Sequence, residues 1–225
     1  SLQKHCKLPL DVCEISQRKS CACVDSGGKK MSEQVLEAPK AEVVLALVHW
    51  PVVDKAGTTV VTNVTNFDIH DIARACRTYG VKRYFIVNRL QDQLGFVSRV
   101  LDHWRTGYGK NFNSTRSVAL APVQMAETVE EVVAKCGPDP LIVATSAKSG
   151  EGRKSFSDLR TEIWSPDRVR PIILLFGTGY GLHSSVLDKC HAVLEPIRGM
   201  PPEDYRHLSV RSAVSICLDR LLGKW

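Results

Sequence analysis

The sequence has 225 residues, of which 44% are hydrophobic and 24% charged. This balance excludes wholesale disorder, collagen and coiled coil, and no apolar run reaches the ~18 residues of a membrane span, so a water-soluble globular protein is expected. Thirty Lys and Arg against 24 Asp and Glu leave a net charge of +6, which permits a polyanionic partner without requiring one.

Residues 1–40 show no sustained periodicity, contain the run Ser26-Gly27-Gly28-Lys29-Lys30 and end in Glu37-Ala38-Pro39-Lys40. They read as a flexible tail in front of one domain, residues 41–225. Four of the eight cysteines, Cys6, Cys13, Cys21 and Cys23, fall in this tail. They form no C-x₂-C pair of the kind zinc favours, and no charged-then-apolar signal precedes them, so a reducing cytoplasm is expected. Cys76, Cys136, Cys190 and Cys217 sit singly in apolar patterns, where cysteine behaves as a small buried hydrophobe.

From residue 41 onward short apolar runs alternate with helical periodicity. Strands are expected at 42–48, 82–88, 117–121, 140–145, 171–176 and 191–194. Helices are expected near 68–79, 91–105, 124–136, 155–163, 182–189 and 208–222. In the last of these Val210, Ala213, Val214, Cys217, Leu218 and Leu221 follow the i, i+3, i+4 spacing. Strict alternation of the two kinds predicts an α/β fold with a largely parallel sheet flanked by helices. The stretch 146–154, rich in Ser, Gly and Lys, is expected to be its most mobile loop.

Three segments carry residue types suited to chemistry. The apolar strand 171–176 runs into Gly177-Thr178-Gly179-Tyr180-Gly181-Leu182. Glycines at the carboxyl end of a strand let backbone amides approach a ligand, and nucleotides bind beside such ends. The dinucleotide fingerprint would need Gly at position 182, where Leu stands, and no Walker lysine follows, so a nicotinamide enzyme is disfavoured and a plain tight turn stays open. The second segment, Glu195-Pro196-Ile197-Arg198-Gly199, leads to Leu208-Ser209-Val210-Arg211-Ser212-Ala213. Ser209 is placed to cap a helix whose free amides would face a ligand, although an ordinary connection explains it too. In the third, a helix starting near Asp68 brings His70, Asp71 and Arg74 onto one face, with an exposed ion pair as the bland alternative.

Taken in chain order, the three segments resemble the signature regions of the SPOUT superfamily of RNA methyltransferases. Asp68-Ile69-His70-Asp71-Ile72-Ala73-Arg74, continuing to Gly80-Val81, aligns without a gap to the family's first region, the glycine turn to its second and Glu195–Ala213 to its third. His49-Trp50-Pro51 and Ala144-Thr145-Ser146 are similar to a stand-alone bacterial subgroup. The resemblance implies a trefoil-knotted α/β fold, a homodimer with its active site at the subunit interface, and S-adenosylmethionine as cofactor. It implies that the cofactor is held by Thr145, Ser146, Gly177, Thr178, Gly179, Gly181, Glu195, Pro196, Ile197, Gly199, Leu208, Ser209, Val210 and Ser212. The family's arginine corresponds to Arg74, near the methyl group. Asp68, His70 and Asp71 stand where the ribose-methylating branch has Asn, Gly and Asn, so the acceptor, base nitrogen or ribose 2′-oxygen of tRNA or rRNA, is left open.

Methyl transfer needs an aligned nucleophile and, for a protonated acceptor, a base. Arginine is too basic to serve as that base, so Arg74 is expected to position the target, and His70, Asp71 or Asp68 to take the proton. Basic and aromatic residues interleave in His103-Trp104-Arg105-Thr106-Gly107-Tyr108-Gly109-Lys110, which makes Arg105, Tyr108 and Lys110, with Arg77, candidate RNA contacts. The altered first region keeps one alternative open, a catalytically silent module that binds S-adenosylmethionine and RNA.

Overall fold

The order of apolar runs dictates the sheet. In the computed structural model, which describes residues 38–167 and 170–224, Val43–Val48 (β1) is buried at every position. Such a run suits only a central strand covered on both faces. It is flanked by Arg83–Val87 (β4) on one side and Ile172–Gly177 (β7) on the other, both parallel to it. Val123–Ala126 (β5) extends the sheet beyond β4, while Leu141–Ala144 (β6) and Ala192–Val193 (β8) extend it beyond β7. The order is β5-β4-β1-β7-β6-β8, and every pairing within it is parallel, as the alternating pattern predicts. A two-stranded antiparallel hairpin, Val52–Val53 (β2) and Thr59–Val60 (β3), sits between β1 and the first helix.

Alternate residues of each strand feed two cores. Leu45, Leu47, Tyr84, Ile86, Leu174 and Phe176 meet Asn66–Thr78 (α1), Gln91–Arg105 (α2), Phe156–Trp164 (α6) and Val210–Leu222 (α8). On the other face Val44, Ala46, Phe85, Ile173 and Leu175 meet Val129–Lys135 (α5) and Ser184–Leu187 (α7). Each fully buried Leu or Ile contributes about 1.5–3 kcal/mol, so the sheet's register is strongly fixed. Cys76, Cys136 and Cys217 are buried and Cys190 is half-buried, all as free thiols, and burial pushes Cys76 and Cys217 up to about 12.

Two expectations need correction. Residues 117–121 are not a strand. Tyr108–Phe112 (α3) and Ser114–Ala119 (α4) are short helices there, and the strand begins only after Pro122. Asn113 caps α4 by accepting from Arg116 N–H at 3.2 Å, and this turn buries Leu120, which the apolar pattern alone assigns to a strand. The helix expected over 124–136 is likewise short. It starts at Val129, where Thr128 accepts from Glu131 N–H at 3.1 Å and so sets its N-terminus. The tail expected over 1–40, with its four cysteines, lies outside the described residues except for 38–40.

Candidate functional site

A cavity of about 760 Å³ opens at the carboxyl ends of β6 and β7 and beside the chain leaving β8. This is the crevice where open α/β sheets collect ligands. Thr145 and Ser146 form one wall. Thr145 is fixed to the neighbouring strand through its N–H and its hydroxyl, both donating to Leu175 C=O at 2.9 and 3.0 Å. Gly177, Thr178, Gly179 and Gly181 form the second wall. The hairpin zips onto them: Tyr180 N–H donates to Val53 C=O and Val53 N–H to Gly181 C=O, each at 2.9 Å. Gly179 is held at φ +59° with its Cα against that strand, where a Cβ would lie 3.0 Å from Val53 O. Its glycine is required by both backbone conformation and close approach.

The third wall comes from Glu195, Ile197, Leu208 and Val210. One Glu195 oxygen accepts from Phe156 N–H at 2.8 Å, which ties this wall to the start of α6. Four expected residues, Pro196, Gly199, Ser209 and Ser212, do not line the cavity. Ser209 caps α8 by accepting from Ser212 N–H at 3.3 Å. At Gly199 a Cβ would lie 2.5 Å from the backbone of Tyr205, and its N–H donates to Asp204 at 2.8 Å, so this residue shapes the turn behind the wall. Lys148 and Arg206, missed by sequence reasoning, also line the cavity, together with Tyr180 of the glycine turn and His207 of the connection before α8. Arg206 is held by Asp204 through a 2.8 Å bond from Nε and also reaches Ser149.

Beneath the glycine turn runs a chain of polar groups from half-buried Thr178 and Thr62 to buried His49. Thr178 Oγ1 donates to Val48 C=O at 3.1 Å and lies 2.5 Å from Thr62 Oγ1, which lies 2.9 Å from His49 Nδ1. Thr62 Oγ1 also lies 3.4 Å from His49 C=O; with the Thr178 proton on Val48 and the Thr62 proton on Thr178, His49 donates to Thr62 from Nδ1–H. Its Nε2 then carries a bare lone pair, buried and without a hydrogen-bond partner. Burial lowers the His49 pKa to about 4 against the opposing pull of Asp68, and the ring is neutral at pH 7.

The third expected cluster lies on α1, outside the cavity lining. Asp68 is committed to its helix. Its carboxylate accepts from Thr65 N–H at 3.2 Å and from Thr65 Oγ1 at 2.6 Å, while Thr65 Oγ1 accepts from Asp68 N–H, a complete capping box. Arg211 on α8 closes over this face. Its guanidinium lies 3.9 Å from Asp68, 3.3 Å from Asp71 and 5.2 Å from the exposed Phe67 ring. His70 is half-buried at 5.9 Å edge-to-face from Trp104, and burial, then Arg116 and Arg74, lower its pKa while Asp71 opposes them. Arg74 and Arg77 are exposed. Of the expected RNA contacts Tyr108 and Lys110 are exposed, whereas Arg105 donates to Leu120 C=O and Val123 C=O at 3.0 and 2.8 Å, and so braces the start of β5.

Comparison with known proteins agrees with the geometry. A family profile described as SAM-dependent RNA methyltransferase matches residues 42–223. A protein of Oleidesulfovibrio alaskensis named tRNA (guanine-N(1)-)-methyltransferase is 40% identical over 191 residues, covering 83% of this chain and 43% of that protein. A protein of the same name from Nitratidesulfovibrio vulgaris is 40% identical over 189 residues, 82% of this chain and 43% of its own. This chain thus spans less than half the length of either. An Aquifex aeolicus protein is 38% identical over 186 residues and is matched over 89% of its length. Among solved structures, a methylase family protein from Neisseria gonorrhoeae superposes with a TM-score of 0.56 at 18% identity, over 86% of this chain and 87% of that one. A Bordetella pertussis structure gives 0.53 at 17%, over 80% and 94%. These two show the shared fold. On the profile match over its whole sheet and on the relatives' identity, the chain belongs to the family of SAM-dependent RNA methyltransferases.

Proposed function

We propose that this chain transfers a methyl group from S-adenosylmethionine to RNA, with tRNA as the acceptor. One observation carries the reading: the cavity is walled by the three separate stretches that the family resemblance assigns to the cofactor. Its volume suits a small-molecule site. Backbone edges around Gly177–Gly181 and the apolar Ile197, Leu208 and Val210 suit an adenine ring, and the second Glu195 oxygen is an acceptor for a ribose hydroxyl. Bound there, S-adenosylmethionine supplies an electrophilic methyl on a sulfonium. The relatives' names support tRNA. Because only 43% of their length corresponds to this chain, guanine N1 enters the test beside the ribose 2′-oxygen as an acceptor atom.

The protein's contribution is positioning and proton removal. Arg74 holds the acceptor nucleotide through a phosphate or a polarised oxygen. His70, kept neutral by burial and the neighbouring arginines, has an imidazole lone pair for the leaving proton. Asp71 is engaged by Arg211 and Asp68 by its capping box, so neither is as free to take it. Neither His70 nor Arg74 lines the cavity of its own chain. A homodimer that brings one copy's α1 to the other's cavity completes the site, and the exposed Phe67, at 64%, suits that contact. Arg77 and Lys110 take RNA phosphates.

The trefoil knot is part of this proposal. The chain leaving β8 is bonded to two segments, Leu194 N–H to Ala144 C=O and Glu195 N–H to Lys154 C=O, before α8 packs on α1 and α6; the knot itself is what the family resemblance implies. Among the described residues no helix is long and apolar enough to cross a membrane. We place the protein in the cytoplasm, with its RNA.

The test is incubation with tritiated S-adenosylmethionine and total RNA from a strain lacking the gene, followed by separation of tRNA from rRNA and nucleoside analysis. Label in tRNA is the expected result. Label in rRNA alone moves the acceptor. No label, with cofactor binding intact by calorimetry, overturns catalysis in favour of a silent binding module.

A further inference from the structure

The α3 helix places its smallest residue inward and its largest ones outward. Gly109 is buried so closely against the last turn of α2 that a Cβ would lie 2.6 Å from the Trp104 ring and 2.8 Å from His103 Nε2. That docking leaves Tyr108 and Phe112, one helical turn apart, facing solvent at 76% exposure each. Their rings are nearly parallel, at 22°, with centroids 6.3 Å apart. Exposed single aromatics are ordinary, but a parallel pair on one helix face is an uncovered π surface.

The surroundings select the occupant. Lys110 is exposed on the same helix. Arg116 of α4 stacks over Trp104 at 4.6 Å, and its Nε is buried without a hydrogen-bond partner. Trp104 in turn meets His70 of α1 at 5.9 Å, so this ridge is continuous with the helix face that carries His70 and Arg74. Asp102 on α2 and Asp71 on the adjoining α1 face are exposed carboxylates. Flat π surface beside cationic groups, adjoining a proposed methyl-transfer face, matches a nucleic acid whose bases are not already stacked in a duplex.

We propose that Tyr108 and Phe112 form a stacking platform for an unpaired base of the RNA acceptor, with Lys110 and Arg116 neutralising the adjoining phosphates. This rests on the RNA methyltransferase reading and narrows its substrate to RNA with a looped or single-stranded element near the target nucleotide. The platform is sequence-tolerant, because every base has a π face. Position on a short surface helix makes it separable from cofactor binding.

The experiment uses the full chain and a labelled single-stranded RNA of about twelve nucleotides, the same sequence as a duplex, and whole tRNA. Tyr108→Ala and Phe112→Ala are each expected to raise the Kd for the single strand about tenfold, with the salt slope unchanged. Tyr108→Phe keeps wild-type affinity, because it keeps the ring. Lys110→Ala lowers the salt slope by about one. S-adenosylmethionine binding, measured by calorimetry, is unchanged in all four. Single-strand affinities of both alanine variants within twofold of wild type overturn the proposal, as does equal weakening toward duplex. A shift of these variants from dimer to monomer in sedimentation overturns it in favour of contact between copies. If the wild-type chain labels tRNA while the ring variants change nothing, the platform alone fails; if it binds neither cofactor nor RNA, the functional reading fails and takes the platform with it.

Discussion

His49 Nδ1 and Thr62 Oγ1 lie 2.9 Å apart, and from Thr62 the contact runs on to Thr178 in the wall of the proposed cofactor pocket. Replacing His49 by Leu removes the donor and leaves Thr62 short of a partner, a loss of about 1–3 kcal/mol in unfolding free energy. Asn offers an amide N–H near the Nδ1 position. His49→Asn is therefore expected to recover most of the stability and the S-adenosylmethionine affinity that His49→Leu loses, as measured by denaturant melts and calorimetry.

The same histidine makes folding acid-sensitive. Its native pKa, about 4, lies below the ordinary 6.5, so the unfolded chain binds the extra proton first. Stability from this group is complete above pH 6.5 and is lost as pH falls toward 4, by about 3 kcal/mol in all. Chemical unfolding between those pH values measures the slope, and it should flatten in His49→Asn. An unchanged slope in that variant contradicts a buried neutral His49.

Asp68 and Thr65 cap α1 reciprocally, which predicts a structural rather than chemical phenotype for Asp68. Asp68→Ala and Thr65→Ala should each cost about 1 kcal/mol, and the double variant less than the sum, because either change breaks the same box. Asp71→Asn, at an exposed ion pair, should cost under about 0.5 kcal/mol.

Arg74→Ala is expected to lower turnover at least a hundredfold while leaving S-adenosylmethionine affinity intact, since Arg74 does not line the cavity. Gly179→Val should do the reverse and abolish cofactor binding, because Gly179 sits at φ +59° against Val53. If one copy's Arg74 serves the other's pocket, equal mixing and exchange of the two inactive proteins restores about a quarter of wild-type activity. Zero recovery with exchange verified would place both residues in one chain's site.

His70 predicts the acid limb of the rate profile. Burial and the two arginines hold its pKa below 6.5, so activity should stay level down to that pH and fall only beneath it. A His70→Asn enzyme should retain cofactor affinity and lose that limb.

The sequence by itself determined the parallel sheet and the three stretches that wall the pocket. Short continuous apolar runs such as Val43–Val48 and Ile172–Phe176, alternating with helical stretches, suit strands covered on both faces, and the family resemblance, rather than the glycines alone, assigned the three stretches to a cofactor. It also determined that α1 would carry His70, Asp71 and Arg74 on one face, because helical spacing is local. Tertiary structure alone decided what those residues are free to do. Arg211 reaches Asp71 across 140 positions of chain, and Thr62 meets Thr178 across 116, distances over which no periodic pattern carries information. The short helices at 108–119 escaped for a related reason: Val118-Ala119-Leu120 is an apolar run too short to show a period, and the Asn113 cap and the packing of Gly109 on Trp104 go with a helix that ends at Ala119 and leaves Leu120 buried just beyond it. Local propensity specifies elements, whereas the partners of polar side chains are set by which elements the packed sheet brings together.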